Sequence, residues 1–298
     1  MENYEKTDLA CESVGSLKEE GKKNGWKERK VASVTVRSLC LPDEASAKQY
    51  GLVVGTYISM EFDRSTLLFG RDEEILVRLL AGEIRGISER LTKKVIDTEF
   101  GVLVVGLGNA ALTVDAVGPR TVAGLHATRH LRRHEEKLYQ SMECSSLSTF
   151  APGVLGQTGM EALEVLQGTV ACVKPDVMII IDSLAAKSCE RLASTIQITD
   201  VGITPGSGVG NHREELSQKS LGVPIIVVGV PTVVNSSTLV YDALRKAGIN
   251  ELDPTLKDVL ENGKSFFVSP KESDSITERA ARIISLAIGR AFTDALLE

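Results

Sequence analysis

The chain reads as an α/β protein, with a mostly parallel central sheet and helices on both faces. Three observations predict this. The runs at 101–106 (GVLVVG), 177–181 (VMIII) and 224–230 (PIIVVGV) are continuous, apolar and β-branched, as suits strands buried on both faces. Segments with helical spacing of apolar residues alternate with them. Each of the first two runs also leads into an aspartate: Asp115 follows the turn Leu107-Gly108-Asn109, and Asp182 follows its strand directly. Ligands of such sheets sit beyond the carboxyl ends of the strands. Two carboxylates far apart in sequence can therefore meet at one edge and share a proton, one acting as acid and the other as base.

Residues 1–30 are polar, with Gly15, Gly21 and Gly25, and read as an extended or mobile leader. Strands are expected at 31–36 (VASVTV) and 53–61 (VVGTYISME). A helix is expected over 72–91, where Ile75, Leu76, Leu79, Leu80, Ile84 and Ile87 share a face. After the strand at 101–106 a helix is expected over 115–133. The Ser-, Gly- and Pro-rich stretch 141–160 reads as loop, followed by a helix at 159–166. A helix near 185–192 should follow the second aspartate, then a short strand at 195–198 (TIQI). The glycine-rich stretch 202–211 leads to a helix start at His212, and helices at 238–247 and 273–297 close the chain.

A chain of 298 residues suffices for one large α/β domain or two smaller ones. The net charge of -6 argues against a dedicated nucleic-acid binder, which needs a basic face. Five cysteines with no C-x-x-C pair read as reduced thiols of a cytoplasmic protein. No segment has the length of a membrane span, and the polar, acidic start does not read as a secretory signal.

Several motifs compete with the carboxylate pair. Residues 106–111 (GLGNAA) match a dinucleotide fingerprint, but the ribose-binding acid expected about 20 residues on is missing. The plainer reading is a tight turn that lets backbone approach a substrate. Asp115 and Asp182 also have a plain reading as helix caps. His126, His130 and His134 share a helical face, but Arg129, Arg132 and Arg133 around them would repel a metal ion, so no metal is expected. Gly206-Ser207-Gly208 lacks the upstream glycine of a serine nucleophile elbow, because position 205 is proline. The glycine-rich loop instead suits a cleft wall with free N–H groups. The adjoining Asn211, His212 and Arg213 are candidates to bind an acidic side chain, and Lys187 is another.

On the stretches 106–119 (GLGNAALTVDAVGP), 151–159 (APGVLGQTG), 182–188 (DSLAAKS), 195–213 (TIQITDVGITPGSGVGNHR) and 221–234 (LGVPIIVVGVPTVV), the chain resembles the germination protease family of spore-forming bacteria. The resemblance implies an atypical aspartic endopeptidase, distantly related to the hydrogenase maturation proteases and built as an α/β sandwich. The family's two aspartates carry over onto Asp115 and Asp182. The implied activity is degradation of small acid-soluble spore proteins during germination, in the cytoplasm of the forespore and spore core. No cofactor, membrane or direct nucleic-acid partner is implied, and the expected assembly is a homotetramer. The family is made as a zymogen, and its self-cleavage motif carries over onto Thr7-Asp8-Leu9-Ala10. Cleavage is thus expected between Asp8 and Leu9, giving a propeptide at 1–8 and a single protease domain with insertions at 9–298. Thr98-Glu99-Phe100 resembles a substrate signal and should be sheltered by folding. Two alternatives stay open: a maturation endopeptidase guided by a metal bridging the carboxylates, and a non-catalytic dinucleotide-binding module on Gly106–Ala111.

Overall fold

The computed structural model describes residues 7–15, 25–207, 213–249, 251–263 and 266–293. Its centre is a nine-stranded sheet in the order β1-β2-β3-β7-β8-β6-β4-β5, with β9 paired to β8. The strands are β1 (Lys27–Val31), β2 (Val34–Leu41), β3 (Gly55–Glu61), β4 (Gly101–Gly106), β5 (Ser146–Phe150), β6 (Val177–Ala186), β7 (Thr195–Thr199), β8 (Ile225–Asn235) and β9 (Phe267–Val268). The strands β5, β4, β6 and β8 run parallel, and β7, β3, β2 and β1 extend the sheet antiparallel from β8. The class is α/β as expected, with the three apolar runs forming its buried parallel half.

Both faces of that half are covered, which is why its strands show no polar alternation. On one face Ile179, Ile181, Val228 and Ile198 pack with the helices Glu73–Thr92 and Ser273–Ala291. On the other, Met178, Ile180, Ile225 and Val227 pack with the helix Ala162–Val173. Each such side chain taken from water contributes about 1.5–3 kcal/mol. The helix Glu73–Thr92 buries Leu76, Val77, Leu80, Ala81, Ile84 and Ile87, a single stripe at helical spacing. Glu73 at its start binds Arg279 and Arg282, tying the two long helices together.

Several local expectations are corrected. The run 31–36 is not one strand but a hairpin, because Ala32 turns the chain at φ +51° between β1 and β2. The 141–160 stretch contains β5 and the short helix Leu155–Thr158, whose Ser and Thr content disguised a strand. The single helix foreseen over 115–133 is instead a 3-10 turn, Thr113–Asp115, followed by the helices Val117–Ala123 and Arg129–His134. The helix expected at 185–192 is absent, since β6 runs on to Ala186 and only a 3-10 turn, Cys189–Arg191, follows. A helix at Pro254–Asn262 was not foreseen. Nor is the described part of the leader loose: Leu9 is fully buried among Leu184, Ala186, Leu192 and Val234, and Ala10–Gly15 forms a helical turn. Among the described residues, no helix is long and apolar enough to cross a membrane.

Candidate active site

Asp182 does not end its strand. It lies inside β6, paired across to Gly229 of β8, with four more strand residues beyond it. Its carboxyl is almost wholly buried on the face carrying Met178 and Ile180. The helix-cap reading fails here because no helix starts at Asp182. One carboxyl oxygen accepts the N–H of Ser183 at 2.9 Å.

Asp115 reaches the same region from the loop after β4. The N–H of Leu107 donates to the Ile181 carbonyl at 2.8 Å, so this loop leaves the sheet directly beside β6. Gly108 sits at φ +113°, and a Cβ there would lie 2.0 Å from the Asp115 carbonyl oxygen. Gly118 is pressed between the Leu107 and Ile181 carbonyls, where a Cβ would fall 2.3 and 2.6 Å away. The glycines thus serve contacts of chain against chain, and the helix begins only at Val117. This is not the layout of a dinucleotide cradle, in which the helix opens on the turn itself. Asp115 does not cap that helix either: its Oδ2 accepts the Asn109 N–H at 2.8 Å, and the cap position is Ala116. Thr232 of β8 donates to the Val114 carbonyl at 2.7 Å and fixes the turn from the other side.

The electrostatics follow from this burial. The Asp182 carboxyl is pushed well above the usual carboxylate range, first by desolvation and then by the charges of Asp115 and Asp8, against the opposing Ser183 N–H. Asp115 is also raised by burial, with the Asn109 N–H opposing. Two neighbouring carboxyls whose values are both raised keep a proton more readily than exposed ones. Among the described residues, no group of three or more His, Cys, Asp or Glu is arranged to hold a metal ion.

The leader lies against the same strand. The Asp8 N–H donates to the Ala185 carbonyl, and the Ala185 N–H donates back to Asp8 Oδ2, both at 2.9 Å. Glu12 accepts the N–H groups of Lys187 and Ser188 at 2.7 and 2.8 Å. Burial raises the Glu12 carboxyl, and its bonds to Thr7, Lys187 and Ser188 oppose the rise. Of the predicted substrate-binding residues, Lys187 meets the leader through its backbone, and Arg213 is paired with Glu161 at 3.3 Å. Asn211 and His212 lie outside the described residues. Two further residues touch the leader: Gln197, which sequence reasoning passed over, and Ser207, which it weighed only as a poor match to a serine nucleophile elbow. Gln197 of β7 bonds Asp8 and Ala10, and Ser207 bonds the Asp8 carboxyl. A polar residue in the otherwise apolar TIQI strand was the one signal for Gln197.

A protein-family model described as germination protease matches residues 5–247. The chain belongs to the germination protease family. It is a peptidase. Family members of known name include the germination protease of Caldanaerobacter subterraneus subsp. tengcongensis, 37% identical over 98% of this chain and 95% of that protein. That of Clostridium acetobutylicum is 36% identical over 99% of this chain and 97% of its own length. A crystal structure of a NiFe hydrogenase maturation protease, HycI from Thermococcus kodakarensis KOD1, has a partial likeness: 17% identity, 64% of this chain, 93% of that chain and a TM-score of 0.32.

Proposed function

We propose that this germination protease is an endopeptidase made as a self-processing zymogen, with Asp115 and Asp182 as its acid/base pair and Asp8–Leu9 as the bond it cuts in itself. The observation that carries the reading is the seating of the leader. The Asp8–Leu9 bond is bound against β6, the strand that holds Asp182, and the Asp8 charge is felt by that carboxyl.

In this mechanism Asp182, the more deeply buried of the two, carries the shared proton. Asp115 is ionised, steadied by the Asn109 N–H, and takes a proton from the attacking water. The water oxygen bonds the carbonyl carbon while Asp182 donates to the carbonyl oxygen. The carbon–nitrogen bond then breaks: the proton gained by Asp115 goes to the departing amine, and one hydroxyl proton of the diol returns to Asp182, leaving the new carboxyl group and the pair as it began. Residues 1–8 are the propeptide and residues 9–298 the protease domain. By family membership, the substrates in trans are small acid-soluble spore proteins of the spore core, cut after acidic residues, and the active assembly is a homotetramer.

The test is incubation of the full chain followed by intact-mass measurement, alone and with a small acid-soluble spore protein. A product beginning at Leu9, and substrate fragments ending in acidic residues, are expected. Replacement of either aspartate by asparagine should slow both cuts by about 10²–10⁴-fold. Near-normal cleavage by Asp115→Asn or Asp182→Asn would remove that aspartate from the mechanism.

A further inference from the structure

The bonds made by the leader are more specific than docking requires. The Asp8 carbonyl accepts from Gln197 Nε2 at 3.0 Å, and the Ala10 N–H donates to Gln197 Oε1 at 2.6 Å. One side-chain amide therefore brackets the Asp8–Leu9 bond, holding the carbonyl before the cut and the N–H one residue after it. The Asp8 carboxyl is held just as closely: Oδ2 accepts the Ala185 N–H at 2.9 Å, and Oδ1 accepts the Ser207 hydroxyl at 2.8 Å. Both are neutral donors, one to each oxygen.

The sheet register brings Gln197 into line with Asp182. Gln197 pairs with Gly229, and Gly229 pairs with Asp182. Directly opposed residues in a ladder share a face. Gln197 and Asp182 therefore rise from the same face, two strand spacings or roughly 10 Å apart, with a position lacking a side chain between them. Leu184 leans over that gap, since a Cβ on Gly229 would lie 2.3 Å from its Cδ1. A cavity of about 270 Å³ adjoins, lined in part by Asp8, Gln197, Gly202, Ser207 and Gly229.

We propose that the leader occupies the substrate register, so that Gln197 holds and polarises the scissile carbonyl while Ser207 and the Ala185 N–H form the subsite for the acidic side chain before the cut. The inference rests on the two-aspartate reading above and adds to it. As water adds to the Asp8 carbonyl carbon, the oxygen gathers negative charge, which the Gln197 N–H meets together with the proton from the aspartate pair. Breaking the bond frees residues 1–8 with their new carboxylate and leaves Leu9 as an amine. The same donors then face solvent and can receive another acidic residue.

The test uses the full chain, its self-cleavage followed by intact mass, and trans cleavage of synthetic peptides spanning residues 4–14 with Asp or Asn at position 8. Gln197→Ala should lower kcat at least about 10²-fold, as loss of an oxyanion donor does, with a smaller change in KM. Gln197→Glu keeps the volume but replaces the donor with an acceptor. It should be slow at neutral pH and recover relative to wild type in acid, where its protonated carboxyl donates again, a pH response that a packing role would not give. Ser207 is exposed, so Ser207→Ala spares the fold. It should cut the preference for Asp over Asn about 10-fold. Wild-type kcat in Gln197→Ala, absence of acid recovery in Gln197→Glu, or unchanged Asp preference in Ser207→Ala each overturns the assignment of the residue concerned, provided Asp182→Asn is inactive. An active Asp182→Asn chain would instead overturn the two-aspartate reading on which this one stands.

Discussion

Asp182 sits where ionisation is costly, because burial and two neighbouring carboxylates act in the same direction. Its value in the folded chain is raised above that of the unfolded chain. The protonated form therefore contributes stability that is complete in acid and is lost as pH rises through the raised folded value. Asparagine mimics the neutral form at every pH. Asp182→Asn should accordingly melt higher than wild type in neutral and alkaline buffer, with the gap closing as pH falls below the ordinary carboxylate range. Differential scanning calorimetry across pH checks this, and a gap that instead widens toward acid would contradict it. Asp115→Asn should behave alike, with a smaller gap, since its shift has burial as its one raising cause. The same raised values predict a bell-shaped rate of self-cleavage against pH. The alkaline limb marks loss of the shared proton, and the acid limb marks protonation of the base.

Two elements set the position of these residues, and each has its own test. The loop between β4 and the helix Val117–Ala123 depends on backbone contacts too close for any Cβ, so Gly118→Ala must move either the loop or β6. A loss of about 1–3 kcal/mol is expected, together with slower self-cleavage. A stable and fully active Gly118→Ala chain would mean that the loop does not position Asp115. The leader depends on Leu9, which has no exposed surface. Leu9→Ala should weaken its seating by about 2–5 kcal/mol, seen as faster hydrogen exchange at the Asp8 and Ala10 amides. The elements also differed in how legible they were. Apolar β-branched runs announced β4, β6 and β8, because burial on both faces leaves nothing else in the pattern. The far end of β6 was hidden by Asp182 and Ser183, polar residues that read as a strand end. Residues 31–36 hid a turn, because the residue that bends the chain at φ +51° is Ala32, a type that rarely takes that conformation. The docked leader was hidden because its buried residues, Leu9, Ala10 and Cys11, form a run too short to show a periodicity.

At the scale of the whole molecule, the sheet gathers residues that are remote in sequence, and this limits what sequence reading can find. Asp115 and Asp182 were legible as candidates because each follows an apolar run. Gln197 was not, since its role depends on a register across β6, β8 and β7, and the order of strands in a sheet is not written in any one segment. The packed whole also guards the internal Glu99–Phe100 bond. Phe100 is buried and stacks on Phe292 with ring centroids 6.1 Å apart, and the next N–H, that of Gly101, donates to Asp176 at 2.7 Å. Native chain incubated with its own active form should therefore yield no product beginning at Phe100, whereas chain partly unfolded in urea should yield one. Mass mapping of new N-termini separates the two outcomes.

Because Asp182, Gly229 and Gln197 lie in register across β6, β8 and β7, the distance between the proposed proton donor and the proposed carbonyl clamp is a multiple of the interstrand repeat, not a property of any surface segment. Warming that merely agitates peripheral loops leaves this gauge unaltered. The catalytic fraction of a heated sample should accordingly track the far-ultraviolet signal of the sheet, with both disappearing in one cooperative step.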